Sequence, residues 1–132
     1  MKRGEIWTLR DRQYASKARP VIVIQNDAYD NFDSVILCLF TTYDSSEIEV
    51  RVPVTPTPEN GPHDLSYVMT DKIVTVDKKM LGERIGVVSD ADMALISEHL
   101  RKILALSEAA QQHFPGRGDN LLPGVFITFS IG

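Results

Sequence analysis

The feature that most limits the possible folds is a series of short, β-branched segments separated by polar turns. We predict strands at GEIWTL (4–9), RPVIVIQN (19–26), SVILCLFTT (34–42), SEIEVRVPV (46–54), LSYVMTD (65–71), KIVTV (72–76) and ERIGVVS (83–89). Strands at such close spacing, with turns between them, are typical of a small barrel or sandwich. The third segment is apolar over residues 35–40, which predicts a fully buried strand. The fourth alternates, with Ile48, Val50, Val52 and Val54 on one face, which predicts a strand with one face in solvent.

The hydrophobic period changes after Ser89. This serine can act as the N-cap of a helix, and Asp92 three residues later suits the positive helix end. Glu98 and Lys102 are spaced to pair along one face of that helix. The predicted apolar positions of the helix are Met93, Ile96, Leu100, Ile103 and Leu104.

The length and composition indicate an ordinary packed domain. The chain has 132 residues, 43% of them hydrophobic, which suits one domain with a normal core. We assign residues 1–108 to that domain and residues 109–132 to an extension that the pattern does not explain. A lone cysteine, Cys38, lies in the apolar run SVILCLF, which favours a core position over a disulfide.

Several function classes are disfavoured by what the sequence lacks. The histidines are scattered at His63, His99 and His113, so no Cys/His cluster has the spacing of metal ligands, and we expect no metal and no cofactor. The start MKRGEIW has no apolar region of the kind found in signal peptides. There is also no apolar run of about 20 residues that could span a membrane. We therefore expect a cytoplasmic protein without a membrane partner.

The charge of the chain is unevenly distributed. The net charge is −4, but residues 1–19 carry a net charge of +4 and residues 20–132 one of −8. A local basic patch can bind phosphate groups even when the whole protein is acidic. The same patch is also compatible with a simple solvated face, and charge alone leaves both interpretations open.

Two neighbouring strand ends place candidate phosphate ligands together. Arg19 opens the second predicted strand, directly before Pro20, and Thr41 and Thr42 close the third. If these strands are antiparallel neighbours, the arginine and the threonines lie at the same end of the sheet, about 5 Å apart. An arginine fork with a hydroxyl can clamp a phosphate. The alternative is that the threonines only end a strand, as β-branched residues often do.

The blocks MKRGEIW (1–7), RPVIVIQND (19–27), VILCLFTT (35–42) and SYVMTDKIVTVDKKMLGERIG (66–86) resemble, in order, those of the PemK/MazF-type toxin endoribonucleases. The resemblance covers roughly residues 2–106. It implies a mainly β fold with a C-terminal helix, an SH3-like barrel of curved antiparallel strands. It also implies a homodimer, a cognate antitoxin, and metal-independent, sequence-selective cleavage of single-stranded RNA to 2′,3′-cyclic phosphate and 5′-OH ends.

The same resemblance assigns roles to individual residues. The family's catalytic arginine falls on Arg19, and its catalytic threonine falls on Thr41. Asp71 in MTDKI matches an acidic position that some members use in RNA contact or proton transfer. Ser66 matches a polar position whose role varies.

The loop before Arg19 departs from the family pattern. Many members have a Glu-Gln-Gly stretch there, whereas this chain has RQYASKA (12–18), so no loop glutamate is available as a base. The loops that flank the strand ends still offer groups that bind RNA bases and phosphates. These candidates are Arg12, Gln13, Tyr14 and Lys17 before the second strand, and Thr42 and Tyr43 after the third.

Two other functions remain open at this point. Gyrase-poisoning relatives share the fold and inhibit a protein instead of cutting RNA. A binding module that has lost the activity is a third possibility. The pair Arg19 and Thr41 favours the ribonuclease, because a protein-binding poison has no need of it.

Overall fold

The structure is a computed structural model that describes residues 1–10, 18–61 and 64–106. In this part of the chain, six strands form one sheet and one α-helix follows them. The strands are β1 (Glu5–Leu9), β2 (Arg19–Val23), β3 (Ser34–Thr41), β4 (Arg51–Val54), β5 (Ser66–Asp77) and β6 (Leu81–Val87), and the helix is α1 (Asp90–Ile103). Short 3-10 helices at Asp27–Tyr29 and Lys78–Met80 complete the connections between strands.

The sheet has the order β4-β5-β3-β2-β1-β6, and all neighbouring strands are antiparallel. The predicted mainly β fold with a C-terminal helix is therefore confirmed. Among the described residues, β4 and β6 form the two edges, so the expected SH3-like barrel is a curved sheet without a closed ring of hydrogen bonds.

A pronounced irregularity interrupts the pairing of β3 with β5. Cys38 faces Ile73, but the next residue, Leu39, faces Met69. Residues 70–72 of β5 therefore bulge out of the ladder, which bends the strand. The prediction of two short strands at 65–71 and 72–76 was wrong, because the chain continues through this bulge as one strand of 12 residues.

Two hydrophobic clusters cover opposite faces of the central strands. Ile22 belongs to the cluster under α1, whereas Val21 and Val23 belong to the second cluster. Helix α1 packs on the first cluster, and the second cluster is covered by partly buried side chains of the bent sheet together with Met1 at the N-terminus. These partly buried residues are Met1, Trp7, Leu39, Val74, Val76 and Leu81. The buried position of Cys38 in the first cluster is confirmed, and burial raises the pKa of its thiol to about 12.

The fourth predicted strand is shorter than its alternation suggested. Residues before Arg51 form turns instead, in which the N–H of Ile48 donates to the carbonyl of Ser45 (2.9 Å) and that of Arg51 donates to Ile48 (3.0 Å). Val52 and Val54 are buried as predicted, but Ile48 remains 37% exposed. These turn hydrogen bonds satisfy backbone N–H and C=O groups locally. Pairing with the neighbouring strand therefore begins only at Arg51.

Helix α1 begins where the sequence predicted. The Ser89 side chain accepts a hydrogen bond from the N–H of Asp92 (3.1 Å), which is the expected cap. Ile96 and Leu100 are buried in the first cluster. The prediction of an apolar face that continues to Ile103 and Leu104 was wrong, because the helix ends at Ile103 with Leu104 as its C-cap and these two residues are 42% and 50% exposed.

The pairing of Glu98 with Lys102 is present at 3.8 Å, and Lys102 also contacts Glu49 at 3.1 Å. No helix within residues 1–10, 18–61 and 64–106 has the length and apolar character needed to cross a membrane. The proposed division between residues 108 and 109 lies outside the described residues and stays a prediction.

Candidate active site

A cavity of about 250 Å³ lies at the end of the sheet where β2 begins and β3 ends. The residues that line it are Arg19, Pro20, Phe40, Thr41, Thr42 and Ser66. The structure thus brings together four of the predicted site residues: the arginine, both threonines and the serine. Their catalytic or RNA-binding roles remain predictions.

The register of β2 and β3 explains why Arg19 and Thr41 meet. Val21 faces Leu39 in the antiparallel ladder, and continuing that register by two residues places Arg19 opposite Thr41. The side chain of Arg19 is exposed to solvent, and Pro20 behind it is half-buried. A strand that starts at the mouth of the cavity therefore presents its first residue to a ligand while its following residues anchor it in the core.

Thr41 is half-buried, and its hydroxyl oxygen accepts a hydrogen bond from the backbone N–H of Tyr43 (3.1 Å). Because a hydroxyl can accept and donate at the same time, its proton is still able to reach a ligand oxygen. Phe40 forms an apolar wall beside it and is only 7% exposed.

Ser66 contributes to the cavity floor from the first position of β5. It is buried, and its hydroxyl donates to the backbone carbonyl of Asp64 (3.1 Å). This bond orients the serine side chain and uses its hydroxyl proton. The hydroxyl oxygen can therefore act towards a ligand only as a hydrogen-bond acceptor.

Asp71 is not among the residues that line the cavity. It lies in the bulge of β5, where its carboxylate forms two hydrogen bonds with the guanidinium of Arg51, from Nε (3.2 Å) and from Nη2 (3.1 Å). These bonds hold the pKa of Asp71 below its ordinary value. A lower pKa makes a carboxylate a weaker base. The predicted role of Asp71 in RNA contact or proton transfer stays a prediction.

The segment of residues 42–46, which follows Thr41, forms a tightly bonded loop. The ring of Tyr43 is 74% exposed, which leaves it able to stack with a base. The Asp44 carboxylate accepts hydrogen bonds from the N–H of Ser46 (3.0 Å) and from the hydroxyl of Tyr67 (3.2 Å). The bond from Ser46 is the main reason why the pKa of Asp44 lies below its ordinary value.

Sequence reasoning missed the residues that hold this loop. An aspartate side chain often accepts a hydrogen bond from the backbone N–H two residues later, so the spacing of Asp44 and Ser46 could have been recognised as a turn. Tyr67 and Arg51 come from distant strands, and no local pattern links them to the loop. Burial raises the pKa of Tyr67, and its bond to the Asp44 carboxylate raises it further.

The remaining predicted RNA-binding residues, Arg12, Gln13, Tyr14 and Lys17, lie outside the described residues. In the part of the chain that the structure covers, no group of three or more His, Cys, Asp or Glu side chains could hold a metal ion.

Comparison with known proteins assigns this chain to a class. The model of a family described as "PemK-like, MazF-like toxin of type II toxin-antitoxin system" matches residues 2–104. This chain belongs to that family.

Individual relatives agree with the family assignment. The chain is 36% identical over 108 residues to a probable endoribonuclease MazF of Mycolicibacterium smegmatis, covering 81% of this chain and 99% of the relative. A solved endoribonuclease in complex with its cognate antitoxin, from a mycobacterial species, is 29% identical with a TM-score of 0.67, covering 81% of this chain and 97% of that one. A MazE–MazF structure from Deinococcus radiodurans, 16% identical with a TM-score of 0.67 over 81% and 97% of the two chains, shares the fold.

Proposed function

We propose that this protein is the toxin of a type II toxin–antitoxin system and acts as a metal-independent, sequence-selective endoribonuclease on single-stranded RNA. The observation that carries the proposal is the shared cavity of Arg19 and Thr41, in a chain of this toxin family. A relative with 36% identity is named a probable endoribonuclease, which supports the same activity.

The proposed reaction uses the RNA's own 2′-hydroxyl as the nucleophile. Its oxygen attacks the adjacent phosphorus as the 2′-hydroxyl proton is removed. The bond from phosphorus to the 5′-oxygen breaks, and that oxygen takes up a proton. The products are a 2′,3′-cyclic phosphate and a free 5′-OH, so atoms and charges balance without water or a metal.

In this reaction Arg19 stabilises the negative charge on the phosphate oxygens of the transition state. The guanidinium can donate two parallel hydrogen bonds, and the Thr41 hydroxyl adds a third. Arginine is a poor general base because its guanidinium holds its proton too firmly to exchange it in proteins. We therefore assign Arg19 an electrostatic and positioning role, and we assign Thr41 the role of a supporting donor.

RNA recognition is assigned to residues that follow β3 and to residues that precede β2 in the sequence. Thr42 and the exposed ring of Tyr43 follow β3, and four further candidates precede Arg19 in sequence. Those candidates are Arg12, Gln13, Tyr14 and Lys17. A tyrosine ring stacks on a base, an amide reads a base edge, and cations hold the phosphates on either side of the scissile bond.

The proposal includes a homodimer and a cognate antitoxin as partners, in the cytoplasm. The solved mycobacterial endoribonuclease is in complex with its own antitoxin, which supports an antitoxin partner for this chain. We infer that an acidic antitoxin segment competes with RNA for the positive charge around Arg19.

The alternative of a non-enzymatic poison that binds a protein such as DNA gyrase is not favoured, because one relative is named a probable endoribonuclease and the similar mycobacterial structure is named an endoribonuclease. The test is cleavage of a pool of single-stranded RNA by the purified protein, with sequencing of the cut ends, beside a topoisomerase inhibition assay. We expect cuts at a defined sequence and no inhibition of the topoisomerase. Inhibition without RNA cleavage would overturn the proposal.

A further inference from the structure

The 42–46 loop is fixed to the sheet by side chains that do not themselves line the cavity. Arg51 of β4 is central to this arrangement, and its side chain is only 16% exposed. Besides its two bonds to Asp71, its Nη1 donates to the hydroxyl oxygen of Ser45 (3.2 Å). Ser45 is buried, and its hydroxyl donates in turn to the backbone carbonyl of Tyr43 (3.0 Å). A continuous chain of hydrogen bonds therefore runs from the Asp71 carboxylate to the backbone of Tyr43.

A second connection holds the same loop from β5. Tyr67 lies directly opposite Thr41 in the ladder of β3 and β5, and its hydroxyl donates to the Asp44 carboxylate. The strand pair that places Thr41 in the cavity thus also fixes the loop that follows it. The loop's own bond from the N–H of Tyr43 to the Thr41 hydroxyl oxygen completes the link to the candidate site.

The two bonds between Arg51 and Asp71 determine where the guanidinium points. An arginine fork that meets a carboxylate with two parallel bonds has a fixed plane. Its remaining nitrogen is then directed at Ser45. Without Asp71, the guanidinium would be a largely buried cation with no fixed orientation, and the bond to Ser45 would be weakened.

We propose that Arg51, oriented by Asp71, is a positioning residue that holds the 42–46 loop so that the Thr41 hydroxyl and the Tyr43 ring are presented together to the RNA. The inference rests on the proposed ribonuclease function. It gives Asp71 a role that acts through Arg51, in contrast to direct proton transfer. The positioning role predicts that Arg51 and Asp71 act as a unit, whereas a general base would act alone.

The experiment compares Arg51→Gln, Asp71→Asn and the double variant with the wild type. Glu49→Gln serves as a matched control, because it removes a surface ion pair with Lys102 that lies outside this chain of bonds. Tyr67→Phe removes only the hydroxyl bond to Asp44. If either charge variant fails to fold, this variant still tests whether side chains of the sheet hold the loop in place. Thermal melts identify folded variants.

The first measurement is hydrogen exchange of the 42–46 segment in the protein without RNA. We expect exchange there to rise about tenfold in Arg51→Gln and Asp71→Asn while the core strands stay protected. Tyr67→Phe should show a smaller rise and Glu49→Gln none. Unchanged exchange of this segment in both charge variants would overturn the inference, whether or not the protein cuts RNA.

The second measurement is kcat and KM on an RNA substrate across a range of pH. Both single variants should lose about tenfold in kcat/KM, the double variant should lose no more than either single, and the shape of the pH profile should be kept. If Asp71 were a general base, Asp71→Asn would instead lose about 10²–10⁴-fold in kcat/KM, and the fall in rate at low pH would disappear from its pH profile. Arg51→Gln would then be much less affected. That pattern would overturn the positioning role.

The two measurements separate the two claims. A wild-type protein that leaves RNA intact would refute the proposed function. In that event the exchange measurement alone still decides whether Arg51 and Asp71 hold the loop.

Discussion

Arg19, the first residue of β2, and Thr41, the last residue of β3, line the same cavity. The two positions are distant in sequence, and the antiparallel register of the two strands brings them to one end of the sheet. A guanidinium and a hydroxyl that converge on one space form a site for an anion with several oxygens. We expect the scissile phosphate of an RNA substrate to occupy that space.

Replacing Arg19 with alanine should remove the main source of charge stabilisation. We expect RNA cleavage to fall by about 10²–10³-fold or more, the range for losing a preorganised donor. The fold should persist, because the Arg19 side chain is exposed. Cleavage kinetics and thermal melts check this, with Arg101→Ala as a control for an exposed arginine on α1. A folded Arg19→Ala protein with full activity would refute the site assignment.

Thr41 should contribute less than Arg19. Thr41→Val keeps the shape but removes the hydroxyl that accepts from Tyr43, and we expect a loss of about 10–10²-fold in kcat/KM. Thr41→Ser keeps the hydroxyl and should stay within a few-fold of the wild type. A valine variant as active as the wild type, with the loss appearing in the serine variant instead, would show that the methyl group matters and the hydroxyl does not.

The chemistry predicts that the 2′-hydroxyl 5′ to the scissile bond is required. Cleavage should survive excess EDTA and should yield 2′,3′-cyclic phosphate and 5′-OH ends. An oligonucleotide with one deoxynucleotide at that position should not be cut, since it lacks the nucleophile. Cutting of the deoxy-substituted oligonucleotide at the normal rate would mean that water is the nucleophile. Mass spectrometry of the products distinguishes the two outcomes.

The ion pair of Asp71 with Arg51 should make a pH-dependent contribution to stability. Its bonds to Arg51 set the pKa of Asp71 lower in the folded protein than in the unfolded chain. The ion pair therefore contributes its full stability above the pKa that Asp71 has in the unfolded chain. That contribution is lost below about pH 4, as the pH falls through the lower pKa that Asp71 has in the folded protein. Urea unfolding should show Asp71→Asn less stable than wild type at pH 7, with a difference that shrinks on acidification. A difference that stays constant with pH would contradict this assignment.

The helix should stabilise the fold mainly through its buried face. Ile96 is fully buried, and Leu95 beside it is 41% exposed. We expect Ile96→Ala to lower the free energy of unfolding by about 2–5 kcal/mol. Leu95→Ala should lower it by under about 1 kcal/mol, because it leaves no cavity. Denaturant unfolding measures both, and similar losses in the two variants would contradict the burial of α1 against the sheet.

The positions of β1, β2 and β3 and the start of α1 were predictable from the sequence, because the signals that set them are local. The runs around Ile22 and Leu37 are short and rich in β-branched residues, which favours strands over helices. The hydroxyl oxygen of Ser89 accepts the capping bond from the N–H of Asp92 within the same short segment. The meeting of Arg19 with Thr41 followed from one further step, the assumption that consecutive strands pair antiparallel.

The bulge of β5 and the turns before Arg51 were not predictable in the same way. Each depends on how a segment fits against a strand that is far away in sequence. The bend at residues 70–72 lets one strand reach both hydrophobic clusters, with Val68 in one and Val74 and Val76 beside the other. A sequence window that covers either half alone resembles a separate short strand.

By itself, the sequence determined a mainly β fold that ends in a helix, since hydrophobic period and capping are encoded within short stretches of chain. The resemblance to the toxin family and the ends of two predicted strands singled out Arg19 and Thr41 as the candidate pair. Only the tertiary structure decided the surroundings of that pair. It joined Asp71 to Arg51 and Tyr67 to Asp44, and it left Asp71 out of the cavity lining. The physical reason is that hydrogen bonds between side chains on different strands depend on register, bulges and curvature, which arise only when the whole sheet has packed.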